Sequence, residues 1–120
     1  MSSLKKKSLK SLIKKADKLY QVKLIKLRPM SIISGKPTEV IHHCVPKSQS
    51  NNLRYDPDNG IPLTCTEHAR HHLSGDPAIV AVIVGALGQK WFRDIQKRRR
   101  IICRLNKKYL EEVIGRLEAL

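Results

Sequence analysis

With 120 residues the chain has room for one compact domain and not for two ordinary ones. Its 24 lysines and arginines against 10 acidic residues give a formal net charge of +14, which favours a polyanionic partner, nucleic acid ahead of an anionic membrane surface. The longest apolar run, AIVAVIVGAL at residues 78–87, has 10 residues, about half of the roughly 20 needed to cross a bilayer, so no span is expected; the basic N-terminal stretch also lacks tryptophan and phenylalanine, so no membrane partner is expected.

Residues 3–28 place Leu9, Leu12, Ile13, Ala16, Leu19 and Tyr20 at spacings of three and four, with lysines on the other faces. This predicts a basic amphipathic helix that ends before Pro29, because the residue ahead of a proline is pushed out of helical geometry. The same lysines interrupt any continuous hydrophobic stretch of the secretory kind, and residues 1–8 are expected to fray. After a short loop through SGKP, Val40, Ile41 and Val45 have strand character. Pro46 to Pro57 is crowded with Ser, Asn, Asp and Pro and reads as loop. NGIPLT at 59–64 reads as a returning strand whose proline implies an edge. Thr66 is then expected to cap a short helix that stops at Gly75.

Asp76 followed by Pro77 is a helix start carrying the apolar run, with a break near Gly88. Beyond it lie one or two amphipathic helices with Trp91, Phe92, Ile95, Ile102, Leu105, Leu110, Val113, Ile114 and Leu117 available for burial. There is no internal repeat and no long linker. Cys44, Cys65 and Cys103 are odd in number and lack framework spacing, which suits reduced thiols and a cytoplasmic protein; Cys44 and Cys65 fall one on each expected strand and could approach each other.

All five histidines fall on this strand, loop, strand and helix unit. His68 and His72 are four apart, so their imidazoles project from one helix face at a spacing that suits two ligands of one metal ion. Either His42 or His43 could supply a third. Three imidazoles leave open positions for water and substrate, the arrangement of a catalytic site. The neighbouring histidine is then available as a base, with an unperturbed pKa of about 6.5.

The HH pair, Asn59 sixteen positions after His43, His68 nine later and His72 four after that resemble the HNH nucleases with their ββα-metal fold. The wider stretch HHCVPKSQSNNLRYDPDNGIPLTCTEHARHH is similar to phage-type HNH proteins, including the NinG (Rap) recombination group, in which helices follow the nuclease unit. The match covers residues 31–77, and the flanks only in layout. Carried over by position, the resemblance implies His43 as general base, His42, His68 and His72 as metal ligands, and Asn59 as the residue that ties the loop and orients the base. Many relatives hold the unit with a zinc knuckle of four cysteines, in CxxCG before the first strand and CxxCH entering the helix. Here those positions read Ser31, Ser34 and Gly35, then Thr64, Glu67 and His68, so structural zinc is expected to be absent and the end helices to offset its loss by packing.

Lys47 and Arg54 in the expected loop, His71 about 100° around the helix from His72, and the basic runs at Lys5–Lys18 and KRRR (Lys97, Arg98, Arg99, Arg100) are candidate phosphate contacts. The reading is therefore an α+β chain: a basic N-terminal helix at 1–29, a ββα-metal HNH core at 38–75 and a helical extension at 76–120. Its expected activity is DNA phosphodiester hydrolysis with one divalent ion, Zn²⁺, Mg²⁺, Mn²⁺ or Ni²⁺. The resemblance makes phage recombination or branched intermediates the plausible substrates. The competing class is an inactive basic DNA-binding or recombination accessory protein; either class acts as monomer or homodimer.

Overall fold

Ser8 opens the first helix by accepting the amide of Ser11 at 3.1 Å, which satisfies one of the donors a helix start leaves over. From there α1 (Leu9–Leu27) buries Leu12, Ala16, Tyr20 and Leu24 as one stripe. It leaves Lys10, Lys14, Lys15 and Lys18 exposed, and it ends two residues short of Pro29. The computed structural model describes residues 8–120 except 75 and 76, and the side chains of 72–78 are also outside the described set. The fraying expected for residues 1–7, the helix stop at Gly75 and the Asp76 cap thus lie outside the described residues.

The chain is α+β: among the described residues, six helices surround one two-stranded antiparallel sheet. β1 (Val40–His43) pairs with β2 (Gly60–Leu63), Val40 opposite Leu63 and His43 opposite Gly60. Both strands are edges. Pro62 stands opposite Ile41, whose own amide and carbonyl turn outward to the side chain of Gln21, at 2.8 and 2.9 Å. At such a position the missing N–H of proline costs no ladder bond.

The segment expected to be loop holds two short helical pieces instead. Ser50 accepts from Leu53 N at 3.2 Å and starts α2 (Asn51–Arg54), and Asp56 accepts from Asp58 N at 2.9 Å to start a 3-10 turn at Pro57–Asn59. The residues that make turns are also those that cap single helical turns, so the composition did not distinguish the two. α3 (Cys65–Ser74) begins earlier than expected, because Thr64 and not Thr66 is the cap. Thr64 Oγ1 accepts from Glu67 N at 3.2 Å while Glu67 Oε1 accepts from Thr64 N at 2.8 Å, a reciprocal capping box.

α4 (Pro77–Leu87) breaks at Gly88, whose φ of 97° suits glycine, and α5 (Gln89–Arg98) follows. Asn106 then caps α6 (Lys107–Glu118), so the C-terminal stretch is two helices joined by residues 99–106. Ile102, expected in the core, lies in that connection and is 92% exposed. Among the described residues no helix is long and apolar enough to cross a membrane.

Side chains alternate along the strands, and the two sheet faces bury against different helices. Ile41 joins α1 and α6 through Tyr20, Leu24, Leu110 and Val113, whereas Ile61 and Leu63 pack on Ile79 and Ile83 of α4. Gly60 makes the first contact possible: a Cβ there would lie 2.8 Å from Ile41 Cγ2, Leu24 Cδ1 and Tyr20 Oη. A small cluster of Val45, Leu53 and Ile95, covered by Trp91, fastens α5 to the loop after β1.

Candidate functional site

Because they are adjacent on β1, His42 and His43 leave the sheet on opposite faces. His42 is 5% exposed and turns to α3, where its ring meets His68 edge-on with centroids 5.3 Å apart and His71 with centroids 4.8 Å apart. His43 turns to α1 and stacks on Tyr20 at 4.9 Å. Both rings line one groove of about 510 Å³, with His68, Gln21, Lys47 and Arg54. A second depression of about 450 Å³ between Met30, Leu87 and Trp91 holds none of these histidines.

Two imidazoles bound to one tetrahedral ion at a metal–nitrogen distance of about 2.0–2.1 Å have ring centroids about 5.2 Å apart. The spacing of His42 and His68 is compatible with that donor pair. The side chain of His72 lies outside the described residues, and among the described residues no group of three or more His, Cys, Asp or Glu comes together to hold an ion. His71, expected as a phosphate contact or surface residue, is drawn to His42 because positions three apart on a helix share the face turned to β1.

His43 Nε2 lies 2.9 Å from the carbonyl oxygen of Arg54, which can only accept, so Nε2 carries the proton and Nδ1 carries the lone pair. Burial pulls the imidazole down to about 4, with Lys47 adding to the fall and the carbonyl opposing it. The ring is uncharged at neutral pH. Asn59 is fully buried and its side chain makes no hydrogen bond to His43. Its amide accepts from Val45 N at 2.8 Å and donates to Val45 O at 3.0 Å and Leu53 O at 3.2 Å. It thereby fixes the backbone one residue before the Arg54 carbonyl that holds His43. These bonds tie the 45–53 loop, as the resemblance implies for Asn59, and reach His43 only through the backbone.

The cations expected on phosphate divide sharply. Arg54 is in α2, not a loop, and its guanidinium forms a two-pronged pair with Asp17 of α1 at 2.8 and 3.1 Å. Arg98 pairs with Asp56 and Asp58 at 2.5 and 3.0 Å. Arg99 bonds to Gln96 and Gln49. These three join α1 and α5 to the 49–58 loop, so their side chains are engaged within the protein. Lys47 and Arg100 are exposed.

Ser31, Ser34, Thr64 and Glu67, the positions that the resemblance sets against knuckle cysteines, come together through hydrogen bonds. Ser31 Oγ donates to Glu67 Oε1 at 2.5 Å and accepts from Ile33 N and Ser34 N at 3.1 and 3.3 Å, while Thr64 N donates to the same carboxylate oxygen. Burial pushes the Glu67 carboxyl up, but hydrogen bonds from Ser31, Ser34 and Thr64 outweigh it and hold the pKa below the ordinary glutamate value. All three cysteines are free, and Cys65 opens α3 and does not lie on a strand.

Asp17, Tyr20 and Gln21 were not anticipated as site residues. The one available signal was Asp17, the sole acid in a lysine-rich helix. A comparison of the chain with protein-family models, curated proteins and solved structures finds no match.

Proposed function

We propose that the chain is a divalent-metal-dependent, HNH-type endonuclease that hydrolyses DNA phosphodiester bonds. The observation that carries this reading is the pairing of His42 with His68 across β1 and α3, with His43 on the other strand face but in the same groove. The meeting of Ser31, Ser34, Thr64 and Glu67 adds support, because the two segments that the resemblance sets against the knuckle's two cysteine pairs are hydrogen-bonded to each other.

His43 Nδ1 accepts a proton from the water that attacks phosphorus. A new P–O bond forms, the bond to the 3′ oxygen breaks, and the leaving oxygen takes its proton from solvent. The Arg54 carbonyl and the Tyr20 ring hold the imidazole in the tautomer this requires. His42, His68 and His72 are the residues that would hold the ion. When bound, it supplies positive charge against that gathering on the phosphate and the leaving oxygen. An all-imidazole set favours Zn²⁺ or Ni²⁺ over Mg²⁺, which prefers oxygen ligands.

The test is incubation of purified protein with plasmid and with a four-way junction, with and without Mg²⁺, Mn²⁺, Zn²⁺ and Ni²⁺. Cleavage that requires a metal and is abolished in His43→Ala, with DNA binding nearly unchanged, is the expected result. Wild-type cleavage by that variant removes His43 as the base. A second reading, a basic DNA-binding or recombination accessory protein, is favoured by the net charge of +14. It predicts binding with steep salt dependence and no cleavage with any of the four metals.

A further inference from the structure

The net charge of +14 points to DNA without saying where the strand lies, and two basic segments compete: the lysines of α1 and residues 97–100. The second is largely committed elsewhere, since Arg98 and Arg99 are bound within the protein. On α1, Lys15 and Lys23 turn to the C-terminus, reaching Glu118 Oε2 at 3.9 Å and the Glu118 carbonyl at 3.2 Å. Lys10, Lys14 and Lys18 are exposed and follow one another at spacings of four.

Their direction is fixed by the two α1 residues that reach the groove. Asp17 pairs with groove-lining Arg54, and Gln21 both lines the groove and clamps Ile41. At about 100° per residue, Lys10 points within about 20° of each of these, Lys14 about 20° beyond Gln21 and Lys18 about 60° beyond it. A rise of 1.5 Å per residue sets the three ammonium groups about 6 Å apart along the axis. The only acid of α1, Asp17, is paired with Arg54, which offsets its repulsion of a phosphate. Exposed Lys47 also lines the groove.

We infer that the phosphate backbone of duplex DNA runs along Lys10, Lys14 and Lys18 of α1 into the groove that holds His42 and His43. The inference rests on the DNA reading proposed above, but not on cleavage. The track and the groove share one wall, so the helix that orients His43 through Asp17, Tyr20 and Gln21 also delivers the scissile strand to it.

The test is anisotropy of a labelled 20-base-pair duplex titrated with the full chain in chelator, at salt between 50 and 200 mM. Three triple variants are compared: K10Q/K14Q/K18Q, K10R/K14R/K18R and, removing the same charge elsewhere, K97Q/R100Q/R104Q. Each phosphate contact adds about 0.9 to the salt slope, so K10Q/K14Q/K18Q should lose about 2.7 of slope. Its affinity loss across that salt range should then be about 40-fold smaller than that of wild type. The arginine triple should keep the wild-type slope, and the C-terminal triple should lose less than about one contact's worth. Equal losses in the two glutamine triples, or the larger loss at 97–104, overturn the track while leaving metal-dependent cleavage by wild type intact. Wild type that binds with the expected slope but never cleaves overturns the nuclease reading and leaves the track standing. Wild type with no salt-dependent binding overturns both.

Discussion

Replacing Glu67 tests how much the hydrogen bonds gathered on its carboxylate contribute to the fold. One carboxylate oxygen accepts from Ser31 Oγ at 2.5 Å and from Thr64 N at 2.8 Å, and Ser31, Thr64 and Glu67 are all at least nine-tenths buried. Hydrogen bonds to a charged group are each worth about 1.5–3 kcal/mol, and a buried donor left without a partner costs about 1–3 kcal/mol. Glu67→Ala should therefore cost about 3–5 kcal/mol, a large share of the roughly 5–15 kcal/mol typical of a domain. Glu67→Gln, which keeps the acceptor but not its charge, should cost about 1–2 kcal/mol. The assay is urea unfolding in chelator, followed by circular dichroism and Trp91 fluorescence. The pH dependence has a defined sign. A carboxyl whose folded pKa is lowered contributes stability in full above its unfolded value of about 4.3, and that stability is lost as pH falls through the folded value. The gap between wild type and Glu67→Gln should accordingly close below about pH 4. A cost under about 1 kcal/mol for Glu67→Ala, or a gap that persists undiminished in acid, would refute the argument.

Gly60→Ala should destabilise by about 1–3 kcal/mol through overpacking, because the new methyl would lie 2.8 Å from Ile41, Leu24 and Tyr20; unchanged urea midpoints would show that α1 can retreat from the sheet. Asn59→Ala removes three buried hydrogen bonds and should cost about 3–5 kcal/mol in the same assay. If cleavage is found, a folded Asn59 variant should also lose kcat with little change in DNA affinity, since Asn59 acts on the backbone around His43 and not on the strand.

Element type was legible wherever one physical signal dominated. The α1 stripe repeats every three or four residues, Pro62 marks an outward-facing edge, and Gly88 ends α4. Where the same residues serve two structures, the reading failed: Ser50 and Asp56 looked like turn formers and cap helical turns, and Thr64 outcompetes Thr66 because Glu67 lies three residues after it. The candidate site was half legible. Spacing along one chain could bring His68 and His42 under consideration, but no periodicity reports that Asp17 will meet Arg54 or that Asp56 and Asp58 will meet Arg98. The charges of Arg54 and Arg98 looked available only because their partners are 37 to 42 positions away.

The adjacency of His42 and His43 divides control of the two rings between the two layers of the fold. Tyr20, Gln21 and, through Arg54, Asp17 bear on His43 or its strand from α1, the layer that α6 completes. His42 answers to α3, and the start of α3 is held by the Glu67 carboxylate and Ser31. A change in the α1 stripe therefore bears first on the His43 ring, and a change at Glu67 bears first on the His42–His68 pair. Independent adjustment of this kind is open to a strand, where neighbouring residues face apart, and closed to a helix, where neighbours lie only about 100° apart and share surroundings.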